Sequence, residues 1–258
     1  MKVYAYDPAP NPQRLALFMK MKGLEVETVP VDMTTGEHLG DAYKQVNPAG
    51  TVPALVLDDG TVLTEVVGMY TYLEGLHPQP PLLGQTPLER AQVMSWCHKL
   101  FTGLTQAVAS VFRNRSKGFV NRALPGPQDL PQIPDLAERG RLQINFALPM
   151  LDEHLATSRW LAGDNFTAAD IDLYVTIGFM GWIKESIPEN CTHLNDWFQR
   201  AQALPSRASS LMLVALHTSA FTLKSSFNSC AAAIASRKIV PEPINCTLGP
   251  FSSPSSRQ

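Results

Sequence analysis

The chain has no Cys-x-x-Cys pair. Its 4 cysteines stand alone at positions 97, 191, 230 and 246, which argues against a zinc site and against a dithiol redox motif. There is no basic excess either. A formal net charge of -2 leaves nothing to neutralise a phosphate backbone, so nucleic acid is not an expected partner. Long apolar runs are absent. The most apolar late stretch, 211–221, falls well short of the roughly 20 residues of a spanning helix, so no membrane partner is expected. The start of the chain enters Val3-Tyr4-Ala5-Tyr6 at once, without a leader's apolar core and small-residue cleavage site. Four scattered cysteines suit a reducing compartment, and the cytoplasm is the expected location. Metal and nucleotide motifs are missing as well.

What is present is an ordinary globular composition, 45% hydrophobic and 17% charged. A length of 258 residues accommodates one large domain or two modest ones. Strand and helix signals alternate up to about residue 79. Val3-Tyr4-Ala5-Tyr6 reads as a strand, Asp7 to Pro12 as a tight loop, and Gln13 to Lys22 as a helix stopped by Gly23. Val26 to Val31 reads as a second strand, parallel to the first through a right-handed crossover. Ala54-Leu55-Val56-Leu57 and Thr61-Val62-Leu63 flank Asp58-Asp59-Gly60, a hairpin signal, and Val66 to Leu76 is helical. That order is thioredoxin-like. It defines an expected first domain over 1–79.

Residues 80–87, with Pro80-Pro81 and Pro87, read as a linker. Strand signals then vanish. Apolar positions 91, 94, 97, 101, 104, 108 and 111 predict one long amphipathic helix from Leu88 to Phe112. Leu136 to Leu155 resumes the period with an interruption at Pro149. Thr167-Ala168-Ala169-Asp170 is a capping box opening a helix to about Trp182, and a last helix runs from Leu194 to Ala203. An all-helical second domain over 88–206 follows. The remainder, 207–258, is rich in Ser and reads as a largely disordered tail, apart from one more helix possible over 211–229. The fold class is thus an α/β thioredoxin-like N-terminal domain plus an all-α C-terminal domain.

Asn47-Pro48-Ala49-Gly50-Thr51-Val52-Pro53-Ala54-Leu55 resembles the Asn-Pro-x-Gly-x-Val-Pro-x-Leu signature of glutathione transferases, in which the Val-Pro bond is cis. Asp59 to Glu65, running into Tyr70, Tyr72 and Leu73, resembles the family's strand-turn-helix, and Trp160 to Asp170 its capping box and staple. The resemblance covers about residues 1 to 206. It implies that glutathione is the co-substrate, held by the backbone of Val52 beside cis Pro53, with Glu65 pairing the γ-glutamyl ammonium. The helix start at Val66 and Val67 would hold the neighbouring carboxylate. Where the family normally has Ser or Thr, this chain has Val66, which removes a hydrogen bond of about 1.5–3 kcal/mol. His38 lies where relatives bind the glycyl end, and Thr51 adjoins Val52. A homodimer is also implied.

Relatives activate the thiol with Tyr, Ser or Cys after the first strand. The loop Asp7-Pro8-Ala9-Pro10-Asn11-Pro12-Gln13-Arg14 has no Ser, Thr or Cys and resembles instead the bacterial nu class, in which an Asn contacts the thiol. Asn11 is the implied catalytic residue. A thiol of pKa about 8.5 is only about 3% ionised at pH 7, and lowering it to about 6.5 takes roughly 2.7 kcal/mol. One amide donor to an anion supplies about 1.5–3 kcal/mol, and the helix N-terminus about 0.3–1 more. Asn11 suffices with little to spare, unless it merely shapes the Pro10-Asn11-Pro12 turn. Arg113, Arg115 and Lys117 either approach an anionic ligand or cap a helix end. Met94, Cys97, Phe101 and Phe112 suit an electrophile pocket or a core equally well.

The expected function is thiolate transfer to a small apolar electrophile or reduction of a disulfide. A non-catalytic binding protein on the same fold is the alternative, and so is a glutathione-dependent isomerase or lyase. Zeta-type isomerases carry a Ser-Ser-Cys loop, which this chain lacks.

Overall fold

In a computed structural model, residues 1–206 of the chain are described; the tail 207–258 and the helix expected over 211–229 lie outside the described residues. The first strand, β1 (Lys2–Ala5), runs parallel to β2 (Glu27–Pro30) through helix α1 (Pro10–Met21). A short α2 (Asp41–Lys44) leads to β3 (Ala54–Val56), which lies antiparallel to β1 on its other side. β4 (Val62–Leu63) closes the sheet in the order β2-β1-β3-β4. In β1 the period of two puts Val3 and Ala5 into the core, while Lys2 and Tyr4 are half-buried. Helix α3 (Val66–Leu76) lies beside α1, with Phe18 stacked on Tyr70 at 4.3 Å between ring centroids. This is the thioredoxin-like arrangement.

Helix α1 begins at Pro10, three residues before the expected start, so Asn11 belongs to a helix and not to a loop. The physical reason is that Pro is tolerated in a first turn, where an N–H would lack an intrahelical acceptor anyway. Because Pro10 and Pro12 have no N–H, Asn11 alone among the first three helical residues carries a main-chain donor.

The linker is anchored. Lys22 Nζ donates to the carbonyls of His77 (2.8 Å) and Pro80, and forms a buried ion pair with Glu74 at 2.5 Å. Glu74 also accepts from the main-chain N–H of Leu83 at 3.2 Å. Leu82 and Leu83 are buried in the core, and the Leu82 carbonyl accepts from Ala168 at 2.9 Å.

The expected long helix runs from Pro87 to Arg115 as α4 (Pro87–Leu100), a π-helical turn (Phe101–Thr105) and α5 (Gln106–Arg115). Its buried stripe is Val93, Cys97, Leu100, Leu104, Val108 and Val111. Cys97, Leu104, Val108 and Val111 are buried as the period predicts, whereas Ala91 and Phe101 are exposed and Met94 half-buried, their places in the stripe taken by Val93 and Leu100. The wider turn changes the pitch and carries Phe101 out of the core toward a cavity.

Helix α6 (Pro134–Leu155) passes through Pro149 unbroken. An internal Pro costs roughly 3 kcal/mol, offset here by the burial of Ile144, Ala147, Leu148, Leu151 and Leu155 on either side of it. α5 and α6 approach closely at Gly140, where a Cβ would stand 2.7 Å from the Ala107 carbonyl. Helix α7 (Ala168–Met180) is buried at every residue except Gly178. Its capping box is formed, with Asp170 accepting from the Thr167 N–H at 3.0 Å. The same carboxylate accepts from Leu161 N–H and Trp197 Nε1, each at 3.0 Å, which ties α7 to α8 (Thr192–Ser206). No helix among the described residues is long and apolar enough to cross a membrane.

Candidate functional site

A cavity of about 260 Å³ opens where the sheet domain meets the helical one. The sheet domain contributes Tyr6, Asn11, His38, Thr51 and Val52, and the helical domain Phe101, Phe112, Arg113, Phe119, Phe179 and Trp182. Arg122 and Gly126 reach it from the loop between α5 and α6. No Asp or Glu lines it among the described residues.

The Asn11 side chain is oriented by its neighbour. Arg14 Nη1 donates to Asn11 Oδ1 at 3.0 Å. A guanidinium has no acceptor, so the carbonyl end of the amide must face Arg14. The NH₂ end is therefore the free end on the cavity wall. Arg14 is itself fixed, with Nε and Nη2 donating to both oxygens of Asp172 at 2.7 and 2.6 Å. Burial opposes its charge, and the Asp172 carboxylate more than offsets this, so Arg14 stays cationic. Tyr70 adds a hydroxyl bond to Asp172 at 3.1 Å.

The loop between α2 and β3 positions Thr51 and Val52. Asn47, almost fully buried, donates to the Thr51 carbonyl at 2.8 Å and to its hydroxyl at 3.0 Å. Tyr43 hydroxyl donates to the same carbonyl at 2.6 Å, and burial raises that phenol to a pKa of about 12. Gly50 takes φ +61°, and a Cβ there would press to 3.0 Å from the His38 carbonyl, so a side chain is doubly unsuited. The Val52–Pro53 peptide is cis.

His38 is 3% exposed. Its Nε2 lies 2.9 Å from Arg122 Nη2. Since Arg122 must be the donor, the imidazole proton sits on Nδ1, a buried atom with no hydrogen-bond partner among the described residues. Burial, together with the positive charges of Arg122 and Arg113, lowers this histidine to a pKa of about 4. It is neutral at pH 7. Arg113 donates to the Arg122 carbonyl at 3.1 Å and lies 4.7 Å over the Phe119 ring. Burial and the charge of Arg122 lower it to about 10. Beside it Phe112 packs edge-on against Phe119, Phe179 and Trp182, with centroids 5.0, 5.6 and 5.2 Å away.

Of the sequence-predicted residues, Asn11, His38, Thr51 and Val52 meet at this cavity, together with Phe101, Phe112 and Arg113. Pro53 and Val66 are buried outside its lining, and Glu65 is exposed at the N-cap of α3. Met94 and Cys97 are not pocket walls. Cys97 is buried in the core, where burial and then Asp172 hold its thiol well above the ordinary range. Arg115 pairs with Glu138 on the surface, and Lys117 does not line the cavity. Arg14 and Arg122 were missed. Neither had a local signal, since their partners lie 158 and 84 residues away.

Residues 9–76 match the family model described as "Glutathione S-transferase, N-terminal domain", and residues 127–205 the one described as "Glutathione S-transferase, C-terminal domain". Glutathione S-transferase 2 of Saccharomyces cerevisiae is 30% identical over 209 residues, which is 80% of this chain and 87% of that protein. A glutathione S-transferase domain-containing protein of Marinobacter aquaeolei VT8 superposes with a TM-score of 0.73 at 36% identity, covering 80% of this chain and 99% of that one. A maleylacetoacetate isomerase of Pseudomonas aeruginosa is 39% identical over 94 residues, 36% of this chain and 44% of that protein. Two family models in their proper order, a relative matched along most of its length and a shared sheet-and-helix architecture agree: the chain belongs to the glutathione S-transferase family.

Proposed function

We propose that the chain is a glutathione transferase whose Asn11 amide stabilises the glutathione thiolate. The observation that carries this is the orientation of Asn11. With its oxygen committed to Arg14, the amide has only N–H bonds to offer a ligand on the cavity wall. An N–H donor lowers a thiol's pKa because it binds the anion and not the neutral form. The thiolate attacks an electrophilic carbon, forming a C–S bond while the leaving group departs with its electron pair. The thiol proton goes to solvent.

Around that sulfur, the tripeptide would lie along the Thr51–Val52 main chain. Its glycyl carboxylate would meet the cation Arg122 beside His38, which holds that guanidinium through Nε2. The γ-glutamyl group would sit at the N-terminus of α3, where the main-chain N–H groups of Val66 and Val67 lack intrahelical acceptors and Glu65 supplies the counter-charge. Pro53 holds the turn. Residues 1–79 and 88–206 act as the two domains, joined by 80–87.

A homodimer in the cytoplasm, serving detoxification, completes the reading. Leu142, Phe146 and Met150 recur every four residues along α6 and are exposed, a surface suited to a second copy. Titration of reduced glutathione into the protein tests the central claim. Micromolar binding, with a bound-thiol pKa that rises in Asn11→Ala, is the expected result. An unmoved pKa removes Asn11 from catalysis. No binding at several millimolar leaves a non-catalytic interaction protein. The isomerase reading draws on the partial match to the maleylacetoacetate isomerase, but Asp7 to Arg14 holds no Ser or Cys.

A further inference from the structure

The cavity is lined by two arginines, Arg113 and Arg122, and by no carboxylate among the described residues. Three arginines of the fold pair with carboxylates: Arg14 with Asp172, Arg115 with Glu138 and Arg141 with Glu185. Arg113 is matched with no carboxylate among the described residues. Its contacts are a carbonyl and an aromatic face, which satisfy one N–H and leave the charge uncompensated. Arg122, bonded to His38, adds a second positive charge at the same end. Burial and like charge both work against Arg113, which is the arrangement an incoming anion relieves.

Glutathione brings two carboxylates. In the reading above one goes to the α3 N-terminus, outside the cavity lining, and the other to Arg122 beside His38. That leaves Arg113. It follows Phe112 directly in α5 and lies over Phe119, and Phe112 packs in turn against Phe119, Phe179 and Trp182 to form an aromatic wall. This wall belongs to the helical domain and lines the same cavity as Asn11. A flat apolar body against those rings would bring a carboxylate a few bonds away within reach of a guanidinium fork.

We propose that the second substrate is an organic carboxylate with an aryl or similarly flat apolar body, its anion held by Arg113. This rests on the glutathione reading for the reaction, though not for the binding. The test compares 4-phenylbutyrate with its uncharged amide, 4-phenylbutyramide, by calorimetric titration. Each is measured with and without saturating S-methylglutathione, whose blocked sulfur prevents turnover. The carboxylate is expected to bind about 10- to 100-fold more tightly than the amide, the size of one charge-assisted hydrogen bond. That preference should persist with S-methylglutathione bound, fall toward 1 in Arg113→Met and survive in part in Arg113→Lys. Equal affinities in the native protein overturn the proposal, and this comparison stands even if Arg113→Met fails to fold. A preference abolished by S-methylglutathione also overturns it, since Arg113 would then serve the tripeptide. Failure of S-methylglutathione itself to bind removes the glutathione reading, while a carboxylate preference in the same protein upholds the anion pocket.

Discussion

Arg14 holds Asn11 and Asp172 at once, 3.0 Å from the amide oxygen of one and 2.6 Å from the carboxylate of the other. The first contact decides which end of the amide a ligand meets, and the second joins α1 of the sheet domain to α7 of the helical domain. A sharper change than deletion follows from the first. Asn11→Asp keeps the shape and gains an ion pair with Arg14, but replaces the free NH₂ with an oxygen. If the amide binds the thiolate, the bound thiol's pKa should rise by about 1–2 units in Asn11→Ala, the worth of one hydrogen bond to an anion. It should rise further in Asn11→Asp, where a carboxylate repels it. Thiolate ultraviolet absorbance against pH reads both, and an Asp variant no worse than the Ala variant would place the sulfur elsewhere.

The second contact concerns stability. Arg14 and Asp172 are 4% and 2% exposed, so removing either partner strands a buried charge. Arg14→Met or Asp172→Leu alone should cost about 3–5 kcal/mol, whereas the double variant should cost less than either, since no charge is left unpaired. Urea unfolding of the three variants measures the coupling. Additive losses would mean that the pair is not the unit described.

Much of this was legible in the sequence, and the reasons differ by element. The hairpin at Asp59-Gly60 and the capping box at Thr167 were readable because turns and caps depend on neighbours a few residues apart. The start of α1 was misplaced because two prolines read as a loop although both suit a helix's first turn. Phe101 was misplaced in the stripe of the long helix because a π turn leaves no mark in an apolar period. Asn11, His38, Thr51 and Val52 came from the resemblance, whereas the groups that set their chemistry did not. Arg14 and Arg122 act across domains, and a reading along the chain has no access to such distances.

The histidine gives a pH dependence. His38 has a folded pKa of about 4 against an unfolded value near 6.5. Between those values the unfolded chain binds a proton that the folded one does not, so stability falls as pH drops from about 6.5 toward 4 and is fully present above. The interval corresponds to at most roughly 3 kcal/mol. His38→Gln keeps an acceptor for Arg122 and removes the titration. Unfolding free energies at several pH values should therefore fall less steeply in this window for the variant. Parallel profiles would assign the acid sensitivity to other groups.

Val66 stands where the resemblance would place Ser or Thr, and the structure supplies its context. The side chain is 4% exposed and belongs to the core, at the first position of α3. Val66→Ser therefore does two opposed things. It removes apolar burial, with a stability loss of about 1–2 kcal/mol. It also restores a hydroxyl beside the N–H groups proposed to hold the γ-glutamyl carboxylate, and one such bond is worth about 10-fold or more in affinity. The expected outcome is a protein that melts earlier and binds glutathione more tightly. Thermal melts and glutathione titrations of the same sample separate the two effects. Tighter binding would put the γ-glutamyl carboxylate at the start of α3. An unchanged dissociation constant with the stability loss intact would mean that the carboxylate lies out of reach of position 66, and the tripeptide would have to be turned within the site.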